Sequence, residues 1–186
     1  MILYMGDPEP RRARFEALFR EHHSAVRGYA RRRVPSEAVD DIVSETFLVV
    51  WRRLDQVPEC ALPWLLTVAR NVVGTEWRGA ARRQRLWLKA QRGHVVGYDP
   101  EPDIADGPVV AALACLKERD REALTLVAWD GLTPAQAAAV LGEPSDRFRQ
   151  RLRRAGHRLR VHLNDELRGT EFARPHHDPA PTGGPA

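Results

Sequence analysis

Apolar residues recur at three- and four-residue steps along most of this chain, and no strand-like alternation stands out. Phe15, Leu18, Phe19, His22, Val26, Tyr29 and Ala30 form one such stripe, which predicts a first helix. Val34-Pro35 ends it, because proline disfavours helical backbone at the residue before it. Ser36 is placed to cap a second helix reaching about Leu54, with Val39, Ile42, Val43, Phe47, Val50 and Leu54 as its buried face. Acids in its first turns (Glu37, Asp40, Asp41) and arginines in its last (Arg52, Arg53) complement the helix dipole. Residues 55–62 read as a loop, and Pro63 suits the first position of a third helix. That helix faces inward with Leu65, Val68, Ala69, Val72 and Trp77 and continues as basic surface through Arg78, Arg82, Arg83 and Arg85. Gly74 and Gly79 are the points where it would break.

Residues 93–108 hold Gly, Pro and Asp at intervals that defeat both helix and strand patterns, so they predict a linker. Val109–Leu116 and Asp120–Trp129 are the next two predicted helices. Thr133-Pro134-Ala135-Gln136 then opens a short helix with a capping box: Thr133 as cap, Pro134 at the first helical position, Gln136 reaching back. Gly142-Glu143-Pro144 makes a turn, and Ser145 is placed to cap a last helix with Asp146 in its first turn. In that helix Phe148, Leu152, Ala155 and Leu159 form an apolar stripe, and seven arginines crowd positions 147–160. Short helix, tight turn and arginine-coated helix is the sequence form of a helix-turn-helix that reads DNA. The expected fold is therefore all-α: a helical domain at 11–92, a flexible acidic linker at 93–108, a helix-turn-helix domain at 109–168, and a disordered tail at 169–186.

Composition sharpens this picture. Hydrophobic residues make up 43% of the chain, which excludes a disordered protein. The net charge is +4, and Lys89 and Lys117 are the only lysines. Arginine forks onto phosphate and stacks on bases, which suits nucleic acid, although an arginine-rich codon usage gives the same ratio without the clustering. Residues 11–92 carry 17 Lys/Arg against 9 Asp/Glu, and residues 109–168 carry 11 against 8. The strap between them holds Asp99, Glu101, Asp103 and Asp106 with no Lys or Arg before Val109, so two basic blocks would meet one long polyanion. No metal-ligand spacing, glycine-rich phosphate loop or catalytic constellation stands out. The sequence therefore predicts neither an enzyme nor a cofactor or metal site. Cys60 and Cys115 are expected to sit reduced in apolar surroundings, and His176 and His177 to belong to a plain polar tail. No apolar run approaches membrane-spanning length and the N-terminus does not read as a signal peptide, so the expected location is cytoplasmic, with no membrane insertion.

Three stretches in order resemble bacterial RNA polymerase sigma factors of the extracytoplasmic-function (ECF) type, over about residues 12–165. Asp40-Asp41-Ile42-Val43-Ser44-Glu45-Thr46-Phe47-Leu48-Val49-Val50-Trp51 resembles that family's polymerase-binding helix. Trp64-Leu65-Leu66-Thr67-Val68-Ala69-Arg70-Asn71 resembles the helix that engages the melted minus-ten element. Arg119 to Leu124, Gly131 to Thr133, Ala135 to Gly142 and Arg151 to Ala155 resemble the helix-turn-helix that binds the minus-thirty-five element. The resemblance implies core RNA polymerase (beta-prime and beta subunits) and promoter DNA as partners, with an anti-sigma factor as a further partner the family allows. It also implies that the acidic linker threads the polymerase toward the RNA exit path. Two departures stand out. Ser44 occupies a position where the family usually has Gln, and Pro144-Ser145-Asp146-Arg147-Phe148 replaces the usual Ser-x-Gly-Thr-Val, which points to an unusual upstream preference.

The residues that would carry these roles are also open to plainer readings. Asp40, Asp41, Ser44, Glu45 and Leu48 form either a solvated helix face or a docking surface in which carboxylates flank an exposed apolar anchor. Trp64 is a base-stacking platform or core, and Asn71 a base-edge reader or an ordinary helix residue. Arg70, Arg78 and Arg82 would hold phosphates. The other tryptophans, Trp51, Trp77, Trp87 and Trp129, read as core or packing edge. In the last helix Arg147, Arg149, Gln150 and Arg153 face outward to reach base edges, while Arg151, Arg154 and Arg158 hold backbone. The rival reading is a stand-alone helix-turn-helix regulator, which would bind duplex DNA specifically without polymerase.

Overall fold

The computed structural model describes residues 8–90 and 107–172. Among these residues the regular structure is helical and holds no strand. The helices are α1 (Pro8–Arg31), α2 (Val39–Arg52), α3 (Ala61–Ala90), α4 (Pro108–Ala114), α5 (Glu118–Ala128), α6 (Pro134–Leu141) and α7 (Ser145–Phe172). Short 3-10 turns at Ser36–Ala38 and Leu54–Gln56 bracket α2.

The predicted stripes are the buried faces. Val26, Tyr29 and Ala30 of α1, Val39, Ile42, Val43, Phe47 and Val50 of α2, and Leu65, Leu66, Ala69 and Val72 of α3 enclose a first core. Thr46 sits inside it because its hydroxyl donates to the Ile42 carbonyl at 2.7 Å, so the polar group is paired. Two α1 arginines tie down the end of α2 and the chain after it: Arg11 donates to the Trp51 carbonyl at 2.6 Å and Arg14 to the Val57 carbonyl at 2.8 Å. Phe148 and Ala155 of α7 are fully buried, and Leu152 packs beside them against α6.

The capping box of α6 forms as its sequence predicts. Thr133 Oγ1 accepts from the Gln136 backbone, and the Gln136 side chain accepts from the Thr133 backbone at 2.9 Å. Gly142 then stops the helix at φ 67°, a left-handed conformation that glycine adopts without steric cost. Glu143 donates back to the Ala138 carbonyl at 2.9 Å, which closes the end of the helix.

Several sequence expectations need correction. Ser36 does not cap α2; it opens a 3-10 turn after Pro35, and its hydroxyl turns to the Glu37 carboxylate at 3.4 Å. Ser145 is the first helical residue of α7, and the Pro144 carbonyl receives the Phe148 amide at 3.0 Å. α3 starts two residues before Pro63 and runs unbroken past Gly74 and Gly79, since packing outweighs the modest cost of a helical glycine. Cys60 and Cys115 are exposed free thiols, not apolar-lined ones. α7 continues to Phe172, beyond the predicted start of the tail. Residues 91–106, with most of the predicted linker, and residues 173–186, with most of the predicted tail, lie outside the described residues, as do the side chains of Arg82, Arg83, Arg85 and Trp87. No described helix is long and apolar enough to cross a membrane.

The two helical groups, α1–α3 and α4–α7, are in contact. α6 packs on α3, and the apolar cores merge into one cluster. Polar links line this seam. Arg70 Nε donates to Glu122 Oε1 at 3.1 Å, Arg33 reaches Thr125 Oγ1 at 3.3 Å, and Gln136 Nε2 donates to Cys60 Sγ at 3.3 Å. Arg32 forms an ion pair with the buried Asp130 carboxylate and lies 5.8 Å from the Trp129 ring centroid.

Candidate functional site

The outer face of α2 is built by default. Its period buries Val39, Ile42, Val43, Thr46, Phe47 and Val50, which turns Asp41, Ser44, Glu45, Leu48 and Arg52 to solvent. Leu48 is 53% exposed, an apolar side chain flanked by carboxylates. Asp40 lies at the edge of this face, exposed but already paired with Arg27 of α1.

Beside it lies an aromatic cluster that the helical stripes did not single out as a surface. Phe15 packs edge-on against Phe47 at 6.2 Å and against Trp51 at 5.2 Å, and Phe19 sits 4.7 Å from Phe47. Phe19 and Trp51 stay partly in solvent, and Arg11 lies over the Trp51 ring. The signal was in the sequence, since Phe15 and Phe19 stand four apart at the exposed edge of the α1 stripe.

On α3 the candidates separate. Trp64 is half-buried and packs against the core, so only part of its ring can meet a base. Asn71 is exposed. Arg70 is committed to Glu122 of α5, whereas Arg78 is exposed and donates to Thr75 Oγ1 at 3.0 Å. Arg82 lies on α3, but its side chain is outside the described residues. Trp77 is half-buried against the core; Trp129 is exposed and serves as the packing edge under Arg32.

On α7 the burial of Phe148 and Ala155 forces Arg147, Arg149, Gln150, Arg153 and Arg154 outward. Arg147 and Arg153 make no ion pair among the described residues. Arg149 is paired with the exposed Asp146, and Arg154 Nε donates to the Gln150 carbonyl at 3.3 Å. Arg151 is held by the half-buried Glu143 in the turn, and Arg158 by Asp120 of α5. These two arginines therefore brace the helix-turn-helix from within, a role that the sequence reading had not given them.

The seam was not foreseen. Its polar centre is Tyr29, Arg32, Arg33, Arg70, Glu122, Thr125 and Asp130. Burial pushes the Tyr29 phenol up to about 12, with nearby Arg33 opposing the shift. Burial also raises the Asp130 carboxyl above its ordinary range despite the facing Arg32, and lowers Arg32. Desolvation thus outweighs attraction in this pair, as expected for charges removed from water. Among the described residues, Tyr29 Oη, Arg32 Nε and Asp130 Oδ2 are buried without a hydrogen-bond partner.

Comparison with known proteins agrees with this geometry. Residues 18–83 match the Sigma-70 region 2 family and residues 107–156 the Sigma-70 region 4 family. The chain is 32% identical over 160 residues to the ECF RNA polymerase sigma factor SigL of Mycobacterium tuberculosis, covering 82% of this chain and 90% of that relative. Its structure resembles that of CnrH solved in complex with the cytosolic domain of CnrY, with a TM-score of 0.58, 28% identity, and coverage of 81% of this chain and 88% of that one. The fold is shared with the sigma factor RpoE of Bartonella quintana, solved with the anti-sigma factor NepR, at a TM-score of 0.61 and 23% identity over 81% of this chain and 96% of that one. Matches to both sigma-70 regions in their expected order, together with similarity along nearly the full length of SigL, show that this chain belongs to the ECF RNA polymerase sigma factors.

Proposed function

We propose that the three exposed faces divide the work of an ECF sigma factor among them. The chain binds core RNA polymerase and directs it to promoters. The outer face of α2 docks the polymerase: Leu48 is the apolar anchor, while Asp41, Ser44 and Glu45 (with Asp40 at the rim) fix orientation. Ser44 gives a smaller contact than the Gln usual in the family. Docking on the beta-prime subunit follows from the resemblance of this helix, and the beta subunit is the further contact.

Residues 11–92 then form the unit that handles the minus-ten element. Asn71 offers both a donor and an acceptor to a base edge, and Trp64 offers a partial stacking surface worth ~1–3 kcal/mol per base when fully used. Arg70, Arg78 and Arg82 hold phosphate. Residues 109–168 form the unit that reads the minus-thirty-five element as duplex, through Arg147, Arg149, Gln150 and Arg153, with Arg154 on the backbone. Arg151 serves mainly by fixing the turn. The segment 93–108 joins the units, and the tail follows.

No group in this assignment forms or breaks a bond: catalysis belongs to the polymerase, with no cofactor from this chain. Its place is in the cytoplasm, where polymerase and DNA are, and an anti-sigma factor is the expected regulator.

The observation that carries this reading is the capped α6–turn–α7 unit, in which buried Phe148 aims Arg147 and Gln150 into solvent. Run-off transcription with purified core polymerase over a pool of genomic fragments tests it. Promoter-specific transcripts are expected only when the chain is added; a pattern identical to that of core polymerase alone would refute the assignment. Specific duplex binding by the chain without polymerase would favour the stand-alone regulator instead.

A further inference from the structure

Two arginines of α1 fix a stretch of chain far from their own helix. α2 ends at Arg52, and residues 53–60 carry the chain to α3 through one 3-10 turn, Leu54–Gln56. A helix end leaves carbonyls without an intrahelical donor. Arg11 meets one of them: one arm of its guanidinium donates to the Trp51 carbonyl at 2.6 Å and the other to Asp55 Oδ2 at 3.0 Å. The same group lies 5.3 Å from the Trp51 ring centroid. Arg14, about one turn along, donates to the Val57 carbonyl at 2.8 Å. Buried Leu54 and Val57 pin the stretch from the core side.

These contacts hold the segment between the α2 face and the start of α3. The exposed residues Pro58, Glu59 and Cys60 lead directly into Ala61–Trp64 of α3. Under the proposed function, on which this inference rests, α3 meets the unpaired minus-ten strand. Neither arginine belongs to the apolar core; their partners are two backbone carbonyls and a carboxylate that is 84% exposed. Both precede residues 18–83, the stretch matched to Sigma-70 region 2. We infer that Arg11 and Arg14 are positioning residues, which hold segment 53–60 so that the entry of α3 meets the unpaired strand in one fixed geometry.

Binding an unpaired strand orders the groups that touch it, and a segment already held loses less freedom when it does so. A charged donor makes a stronger hydrogen bond to a carbonyl than a neutral one does. The two arginines differ in what they need. Arg11 serves two acceptors through its planar fork, which lysine does not reproduce. Arg14 serves one acceptor, so a lysine there keeps the contact. Two conservative changes are therefore separated: Arg14→Lys retains the geometry of the segment, and Arg11→Lys loses it.

The test uses holoenzyme assembled from core polymerase and the full-length chain. One probe is a labelled single strand carrying the minus-ten sequence of a promoter found by run-off transcription. The other is the same strand with that sequence scrambled. Arg11→Ala combined with Arg14→Ala should weaken binding of the first strand roughly tenfold and leave the second nearly unchanged, so discrimination falls. Affinity for core polymerase should stay at the wild-type value. Arg14→Lys should keep discrimination and Arg11→Lys should lose it. A folded double variant that binds core polymerase and discriminates as wild type does overturns the inference. Equal weakening on both strands also overturns it, since a general loss of structure or a direct phosphate contact would give that result. If circular dichroism shows that the double variant does not fold, Arg14→Ala at its exposed position is compared with Arg14→Lys. Poorer discrimination by the alanine variant alone then supports the inference, and equal behaviour of the two overturns it. Wild-type holoenzyme that fails to distinguish the strands would instead overturn the minus-ten assignment itself, and the wild-type control reads that separately.

Discussion

Leu48→Ala isolates the docking role of α2 from its structural role. The side chain is 53% exposed, so about half of its surface remains available to a partner. Burying a whole leucine is worth ~1.5–3 kcal/mol, which leaves ~0.8–1.6 kcal/mol for the part still in solvent. Core polymerase affinity should therefore fall about 4- to 15-fold. Fold stability should change by less than ~0.5 kcal/mol, because the site is exposed and alanine is a good helix former. Displacement of a labelled wild-type chain from core polymerase measures the first quantity, and thermal unfolding of the free chain the second. Leu65→Ala provides the contrast: its side chain is fully buried in α3, and losing it should cost ~2–5 kcal/mol of stability. Unchanged polymerase affinity for a folded Leu48→Ala chain would refute the anchor. A large loss of stability would refute the claim that this residue faces outward.

Thr133→Ala removes one half of the α6 capping box and should destabilise the helix-turn-helix by ~1 kcal/mol, read as a lower urea midpoint for the α4–α7 signal. Tyr29 should ionise well above the ordinary tyrosine range, because burial pushes its phenol up to about 12. The folded state keeps this proton longer than the unfolded chain, so its stabilising contribution is complete below about 10 and is lost as pH rises from there toward 12. The phenolate absorbance that wild type shows and Tyr29→Phe lacks should rise only as pH climbs from 10 toward 12, accompanied by loss of structure; a rise of that difference below 10 in the folded chain would contradict the burial. Within holoenzyme, Arg147→Ala should weaken minus-thirty-five recognition with a sequence-dependent loss of ~1–3 kcal/mol. Arg151→Ala should instead lower the stability of the α6–α7 turn and leave the salt dependence of DNA binding nearly unchanged, because that guanidinium is held by Glu143. A loss for Arg147→Ala that is uniform across sequences, with a reduced salt slope for Arg151→Ala, would reverse the assignment.

What could be read from the sequence was local. The inner face of α2 follows from one helical period, and that period alone leaves Leu48 and the carboxylates outside. The α6 cap and stop follow from Thr133, Pro134, Gln136 and Gly142 acting on neighbouring backbone. Ser36 failed as a cap for an equally local reason: Pro35 precedes a 3-10 turn, so α2 proper begins three residues later at Val39. Contacts across long separations were invisible to such rules. Arg32 and Asp130 are 98 residues apart, and Arg70 and Glu122 are 52 apart. Nothing in the spacing of either pair indicates that they meet.

The arginine count shows the same limit inside the proposed DNA-reading surface. Seven arginines between 147 and 160 suggest a uniform cationic helix, yet their partners divide them by environment. The pair between Arg149 and Asp146 is exposed and weak, so phosphate or a base edge can take the guanidinium at little cost. The pairs of Arg151 with Glu143 and Arg158 with Asp120 are more enclosed, and removing either arginine leaves a shielded carboxylate behind. Positive charge offered to DNA is therefore concentrated at Arg147, Arg149, Arg153 and Arg154, toward the N-terminal part of α7. That is the end of the helix that the capped α6 and the Gly142 turn hold in place, and the end from which a recognition helix enters the major groove. The turn before α7 thus acts twice: Glu143 anchors the helix through Arg151, and Asp146 pairs with Arg149 at its exposed start.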